Sequence, residues 1–145
     1  MRALSIRQPW AFAVLFLGKD VENRRWSSRY RGPVLVHAPA TVDQRAVAAL
    51  RREGFDIPVG LPTRGYLGIV QLTGCRRASL EELWQRPGAN RWAEGPWCFE
   101  LRDPYPFPEP IPGQGALGLY SPEPNVLIQV QKILAVRSGE GVCDM

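Results

Sequence analysis

Short apolar runs alternate along the chain with polar turns, and their spacing changes between the period of a strand and that of a helix. Residues 3–6 predict a short strand, and the apolar run 10–17 predicts a helix that is apolar on nearly all sides and therefore largely buried. Pro9 fits the first turn of this helix, where its missing N–H is not needed, and Gly18 fits a left-handed cap at its end.

The next two predicted strands carry polar side chains of chemical interest. Residues 20–26 predict a strand in which Glu22, Arg24 and Trp26 share one face, because side chains alternate between the two faces of a sheet. Residues 34–38 predict a strand that is apolar on both faces except at His37, which we interpret as a packed core residue.

Two capping-box patterns predict further helices, since each places a hydroxyl side chain where it can accept from free N–H groups. The first begins at Thr41 and predicts a helix to about Glu53. The second begins at Ser79 and predicts a short helix to about Gln85. A stripe of apolar positions after Asn125 predicts a terminal helix, with a strand as the alternative.

Three more segments predict strands, at residues 66–75, 96–101 and 117–120. Between the last two, prolines stand at every second position from 104 to 112. Because proline has no N–H to donate, this segment is predicted to be a stiff, extended connector and not a strand inside a sheet.

The pattern as a whole predicts an α+β fold: a small β-barrel of five or six strands with three or four surrounding helices. A chain of 145 residues is sufficient for one core. We expect the barrel domain to occupy residues 1–121, and residues 122–145 to form a C-terminal helix with a frayed tail from residue 138.

Composition narrows the class of protein. The chain is 45% hydrophobic and 22% charged, as in ordinary globular proteins. No apolar run approaches the ~20 residues that span a bilayer, and the first residues lack the pattern of a signal peptide. We therefore expect a cytoplasmic protein that does not bind membranes.

Arginine dominates the basic residues. The net charge is +4, and of 18 basic residues only Lys19 and Lys132 are lysine. Arginine suits phosphate and stacks on bases, although GC-rich coding explains the same bias. The three cysteines lie far apart and His37 is the single histidine, so no metal site, cofactor or disulfide framework is predicted.

One short block interleaves cations with aromatic rings. Within eight residues it contains the arginines 24, 25, 29 and 31 together with Trp26 and Tyr30. Arginine pairs with phosphate and aromatic rings stack on bases, with about 1–3 kcal/mol for each stacked base. The block therefore predicts a surface for single-stranded nucleic acid, with a solvated loop as the alternative.

Lys19, Glu22 and Arg24 form a pattern that resembles the G-x-K-x-x-E-x-R element of the ASCH-domain family. One departure is Leu17, which stands where the family has glycine, with Gly18 one place later. Gln8-Pro9-Trp10 and Arg31-Gly32 match further elements of the family, and the resemblance covers about residues 1–121. It implies a barrel similar to the PUA RNA-binding domain.

The resemblance implies that the protein binds RNA or single-stranded nucleic acid in a basic cleft beside the barrel. Lys19, Arg24 and Arg31 would contact phosphate, and Trp26 or Tyr30 would stack on a base, with Trp10 as a further candidate. Gln8 and Glu22 would read polar base edges. A structural salt-bridge cluster is the alternative for the ion-pair group.

Some ASCH relatives are hydrolases, so the resemblance also implies an enzymatic alternative. This would be an amidohydrolase acting on a modified nucleoside such as N4-acetylcytidine, or a ribonuclease, with Lys19 and Glu22 as catalytic groups. A lysine nucleophile must lose its proton, whereas a carboxylate at ~4 Å stabilises the ammonium by about 1 kcal/mol in water and ~4 kcal/mol near a protein surface. Glu22 therefore favours a charged, anion-binding Lys19.

Overall fold

The computed structural model describes residues 1–143, with side-chain environments to residue 139. It contains six strands and four helices within that range, which confirms the predicted α+β class. The strands are β1 (Arg2–Ser5), β2 (Val21–Arg24), β3 (Gly32–Ala38), β4 (Gly65–Arg77), β5 (Trp97–Pro112) and β6 (Leu119–Tyr120). The helices are α1 (Trp10–Phe16), α2 (Gln44–Arg52), α3 (Leu80–Leu83) and α4 (Pro124–Cys143).

The strands form one sheet in the order β2-β5-β4-β3-β1-β6. Only β1 and β3 are parallel, and the other neighbours are antiparallel. The sheet curls, and its edge strand β2 comes close to the end of β1, where Arg24 donates to the Ser5 carbonyl at 2.6 Å. The barrel predicted from the sequence is therefore a half-closed sheet.

Both faces of the sheet are covered. In β3, Val34 and Val36 point to the core shared with α1, whereas Leu35 points to the opposite core. Val126 and Val130 of α4 are buried in that second core. Because side chains alternate between the two faces of the strand, β3 contributes to two apolar layers, one under α1 and the other under α4.

The proline-rich segment is a strand, and its prediction as a connector is wrong. β5 continues through all five prolines to Pro112. Its neighbour β2 pairs only with residues 97–100, so from Arg102 onward β5 pairs with β4 alone. Prolines at alternate positions leave their missing N–H groups on one edge of the strand, and here that edge has no partner.

Helix boundaries agree in part with the sequence patterns. The capping box at Ser79 is present in both directions with Glu82, but α2 is capped by Asp43 and not by Thr41. The terminal helix is confirmed as α4. The tail predicted from residue 138 is helical to Cys143, and residues 144–145 lie outside the described range.

Candidate functional site

The end of α1 and the start of β2 bring three charged residues together. Gly18 adopts a φ of 73°, which places the next residue back over the helix, where the Lys19 N–H donates to the Ala13 carbonyl at 3.1 Å. This turn directs Lys19 inward, and it is only 4% exposed. Glu22 and Arg24 follow on one face of β2, as the period-2 pattern predicts.

Glu22 is the centre of this group and joins the two cations. Its Oε1 accepts from Lys19 Nζ at 3.3 Å, and its Oε2 accepts from Arg24 Nη2 at 2.9 Å. Lys19 Nζ also donates to the carbonyl of Val21. Both oxygens of a carboxylate that is 8% exposed are thus matched by positive charge, which offsets the cost of its burial.

Arg24 connects the ion pairs to the opening of the site. Its Nη2 donates to the Ser5 carbonyl at 2.6 Å as well as to Glu22. Its Nε is buried and has no hydrogen-bond partner among the described residues. The side chain is 23% exposed. Glu22 and Ser5 fix the guanidinium on its buried side, and its exposed N–H groups can still donate toward solvent.

A cleft of about 800 Å³ opens in front of these residues. Two aromatic side chains, Trp10 and Trp92, line it, and Lys19 Nζ lies 5.7 Å from the centroid of the Trp10 ring. Trp10 also packs against the core under α1. The cleft therefore has an apolar wall beside a fixed guanidinium, and its volume suits one small organic ligand.

The charges around the cleft nearly balance, so the expectation of a predominantly basic cleft is wrong. Five cationic side chains and four carboxylates line it. The cations are Arg7, Lys19, Arg24, Arg86 and Arg91, and the carboxylates are Glu22, Glu53, Glu82 and Glu94. Several are already paired: Arg91 with Glu53, and Arg7 with Asp43 at 3.3 Å.

Residues 85–94 form one wall of the cleft, and sequence reasoning missed them. Asn23 of β2 holds this wall, since its Nδ2 donates to the Trp92 carbonyl at 2.9 Å and its Oδ1 accepts from the Glu94 N–H at 2.8 Å. Asn90 Nδ2 donates to Asp20 at 2.9 Å. The asparagine, arginine and tryptophan of this polar segment could have indicated a binding site from the sequence, but only the fold shows that they line the cleft.

An ion pair joins Arg76 of β4 to the buried Glu82 of α3, the helix that precedes this wall. Glu82 accepts from Arg76 at 2.6 and 2.8 Å and from the N–H of Ser79 at 2.8 Å. The hydrogen bonds from Arg76 lower the pKa of Glu82 to about 2, with those from Ser79 adding to the effect. Glu82 is therefore an ionised structural group and not a proton donor for a ligand.

Comparison with protein-family models gives a match that covers more than half of the chain. The ASCH domain model matches residues 4–109, which include Lys19, Glu22, Arg24 and the whole wall at 85–94. The chain belongs to the ASCH-domain family. This family is generally linked to RNA binding. No curated protein matches the sequence significantly.

In this ASCH domain Gln8 does not reach the cleft, and the idea that its amide is free to read a base edge is wrong. Gln8 is 0% exposed. Its Nε2 donates to the Pro62 carbonyl at 3.0 Å, and its Oε1 accepts from the N–H of Phe12 at 2.9 Å. Gln8 therefore ties the start of α1 to a distant loop.

Three further candidates in this ASCH domain lie outside the cleft lining. Trp26 packs edge-on against Phe99, with ring centroids 5.1 Å apart. The Tyr30 hydroxyl donates to the Pro33 carbonyl at 2.7 Å. Arg31 is exposed, and its guanidinium donates to carbonyls of its own turn. Of the arginine and aromatic block, only Arg24 lines the cleft.

His37 is buried, as predicted, but it is not an apolar packing residue alone. Its Nε2 lies 2.8 Å from the Gly113 carbonyl, so this nitrogen carries the proton and donates. Nδ1 is then the acceptor for the Ser5 hydroxyl at 3.1 Å. Burial lowers the pKa of His37, while the Gly113 carbonyl partly opposes that effect.

No group of three or more histidine, cysteine or acidic side chains that could hold a metal ion occurs in the described part of the chain. Within the same residues, no helix combines the length and apolarity that a membrane span requires.

Proposed function

We propose that this ASCH domain binds RNA or another single-stranded nucleic acid, with one nucleotide in the cleft between α1 and residues 85–94. The observation that carries this proposal is Arg24. Its guanidinium is fixed by Glu22 and Ser5, is partly exposed, and faces the cleft beside Trp10. A preorganised guanidinium next to an aromatic wall is suited to a phosphate and its base.

Lys19 supports binding and not nucleophilic attack. Its Nζ is directed to the Val21 carbonyl and the Glu22 carboxylate, both of which accept hydrogen bonds. The nitrogen is therefore engaged by acceptors of the protein, and the side chain is only 4% exposed at the edge of the cleft. We assign Lys19 and Glu22 to holding Arg24 in place, because the ammonium balances the carboxylate on which Arg24 rests.

Trp10 and Arg24 are the side chains that we expect to touch the ligand first. Gln85, on the opposite wall, offers an amide group for base edges. Arg86 and Arg91 at the same wall add positive charge. We therefore assign phosphate recognition to β2 and base recognition to the space between α1 and the wall.

Fluorescence anisotropy with a labelled single-stranded RNA tests the proposal. Arg24→Gln should weaken binding about tenfold and reduce the slope of log affinity against log salt by about 0.7, the value for one phosphate contact on a single strand. Arg102→Gln is the matched control, because Arg102 is exposed and lies outside the cleft lining. Equal affinities of the two variants would contradict the proposal.

The near balance of charge in a cleft of about 800 Å³ favours one alternative, a nucleoside-sized substrate. In that case the protein is an amidohydrolase, and Glu22 or Lys19 takes a catalytic role. Incubation of the purified protein with N4-acetylcytidine separates the two functions. If the protein forms cytidine, and if Arg102→Gln retains this activity whereas Lys19→Met abolishes it, the function is hydrolysis and not binding alone.

A further inference from the structure

A second cavity of about 780 Å³ adjoins the cleft and shares Ser5 and Pro39 with it as lining. Its composition differs from that of the cleft. It has one cationic side chain, Arg64, and no carboxylate among its lining residues. The exposed loop 114–117 forms its other side. The cavity is therefore suited to an anion, whereas the cleft is nearly neutral.

Two side chains of the barrel hold the start of this loop by its carbonyl groups. His37 Nε2 donates to the Gly113 carbonyl at 2.8 Å, and Tyr66 donates to the Gln114 carbonyl at 3.2 Å. The Ser5 hydroxyl, which donates to His37 Nδ1, lies 3.3 Å from the Ala116 carbonyl. A Cβ at Gly115 would collide with the Ser5 hydroxyl and with His37 Nδ1. The backbone at this point is thus pressed directly against the Ser5–His37 pair.

The N–H groups of the same loop remain available. Among the described residues, none of the N–H groups at positions 114–117 donates to an acceptor of the protein. Exposed backbone N–H groups without a protein acceptor can donate to phosphate oxygens. Arg64 is exposed and has no ion pair or side-chain hydrogen bond in the described part of the protein.

We propose that this second cavity is a phosphate subsite, which receives the backbone of a strand whose neighbouring nucleotide occupies the cleft. The inference rests on the proposed function, and it adds that the ligand is a strand of at least two nucleotides. Ser5 lies where the two cavities meet, with its carbonyl on Arg24 and its hydroxyl on His37. Ordered groups therefore line the path from one subsite to the next.

Titration calorimetry with a nucleoside 5′-monophosphate and a tetraribonucleotide tests the subsite. Arg64→Asn removes the charge and suits the left-handed backbone at this position, where φ is 56°. We expect it to weaken tetranucleotide binding about fivefold, to lower the salt slope by about 0.7, and to leave the monophosphate unchanged. Arg102→Asn is the control and should change neither affinity.

Two other outcomes test the subsite and the proposed function separately. If Arg64→Asn leaves tetranucleotide affinity unchanged while Arg24→Gln weakens it, the subsite is overturned and the proposed function stands. If the unaltered protein binds neither ligand, the proposed function fails and the subsite fails with it.

Amide NMR shifts separate a strand from free phosphate as the source of the anion. On addition of the tetranucleotide, the signals of residues 114–117 should move in the unaltered protein and stay in place in Arg64→Asn. Shifts with inorganic phosphate alone, and none with the tetranucleotide, would overturn the strand assignment and leave a simple anion site.

Discussion

The guanidinium of Arg24 donates to the backbone carbonyl of Ser5 across 2.6 Å, which joins the edge strand β2 to the end of β1. These two strands are not neighbours in the sheet, so this contact helps to hold its curled shape. The same guanidinium is the group that we assign to phosphate. Fold and proposed binding therefore depend on one side chain.

Arg24→Lys should keep the charge but lose the fork that serves Ser5 and Glu22 together. We expect a loss of about 1–2 kcal/mol in the free energy of unfolding and faster amide exchange along β2. Urea denaturation and hydrogen exchange measure these effects. Arg25→Lys is the control, since Arg25 is exposed in the same segment, and unchanged exchange in Arg24→Lys would contradict the prediction.

Glu22→Gln should be more damaging, because it leaves the buried ammonium of Lys19 without its counter-charge. Removing one partner of a buried ion pair costs about 3 kcal/mol or more. Glu109→Gln, at an exposed position, should change stability by less than about 0.5 kcal/mol. A midpoint in urea that is equal for the two variants would show that the buried group does not stabilise the fold.

His37 should make stability depend on pH near neutrality. Burial lowers its pKa in the folded state, so the unfolded chain binds the proton more readily. The stabilisation is complete above about pH 6.5 and is lost as pH falls below that value. Melting temperatures at pH 7.5 and 5.5 measure the effect. Because His37 is the single histidine, His37→Gln should flatten the profile, and an unchanged slope would argue against this origin.

Glu82 should add a separate loss of stability in acid. Arg76 lowers its pKa from the ordinary value of 4.5 to about 2, so its contribution to stability is present above pH 4.5 and disappears as pH falls toward 2. Glu82→Gln should reduce this acid dependence and cost about 1–2 kcal/mol at pH 7. Glu81→Gln, in the same turn but exposed, should have little effect on either. Acid titration by circular dichroism distinguishes them.

Gly115→Ala should displace the loop that we assign to the phosphate subsite. The added methyl group would collide with Ser5 and His37, so the loop or the pair must move. We expect weaker tetranucleotide binding, an altered His37 ring signal in NMR, and little change for a nucleoside monophosphate. Gly139→Ala is the control, because a methyl group there would meet no neighbouring atom, and equal binding by both variants would count against the subsite.

Local sequence signals determined the parts of the fold that depend on neighbouring residues. The capping box at Ser79, the left-handed turn at Gly18 and the shared face of Glu22 and Arg24 all follow from spacing within one turn or one strand. The family resemblance drawn from Lys19, Glu22 and Arg24 is likewise local, and the family model confirms it.

Tertiary structure alone decided which partners these residues meet. Gln8 does not read a base edge, because its amide donates to the carbonyl of Pro62, which lies far along the chain. The alternating prolines entered β5 because β2 pairs only with residues 97–100 and leaves the edge beside the prolines without a partner. Residues 85–94 and the Ser5–His37 pair acquired their positions in the same way. Sequence spacing fixes which groups share a face, but only the folded chain fixes what that face meets.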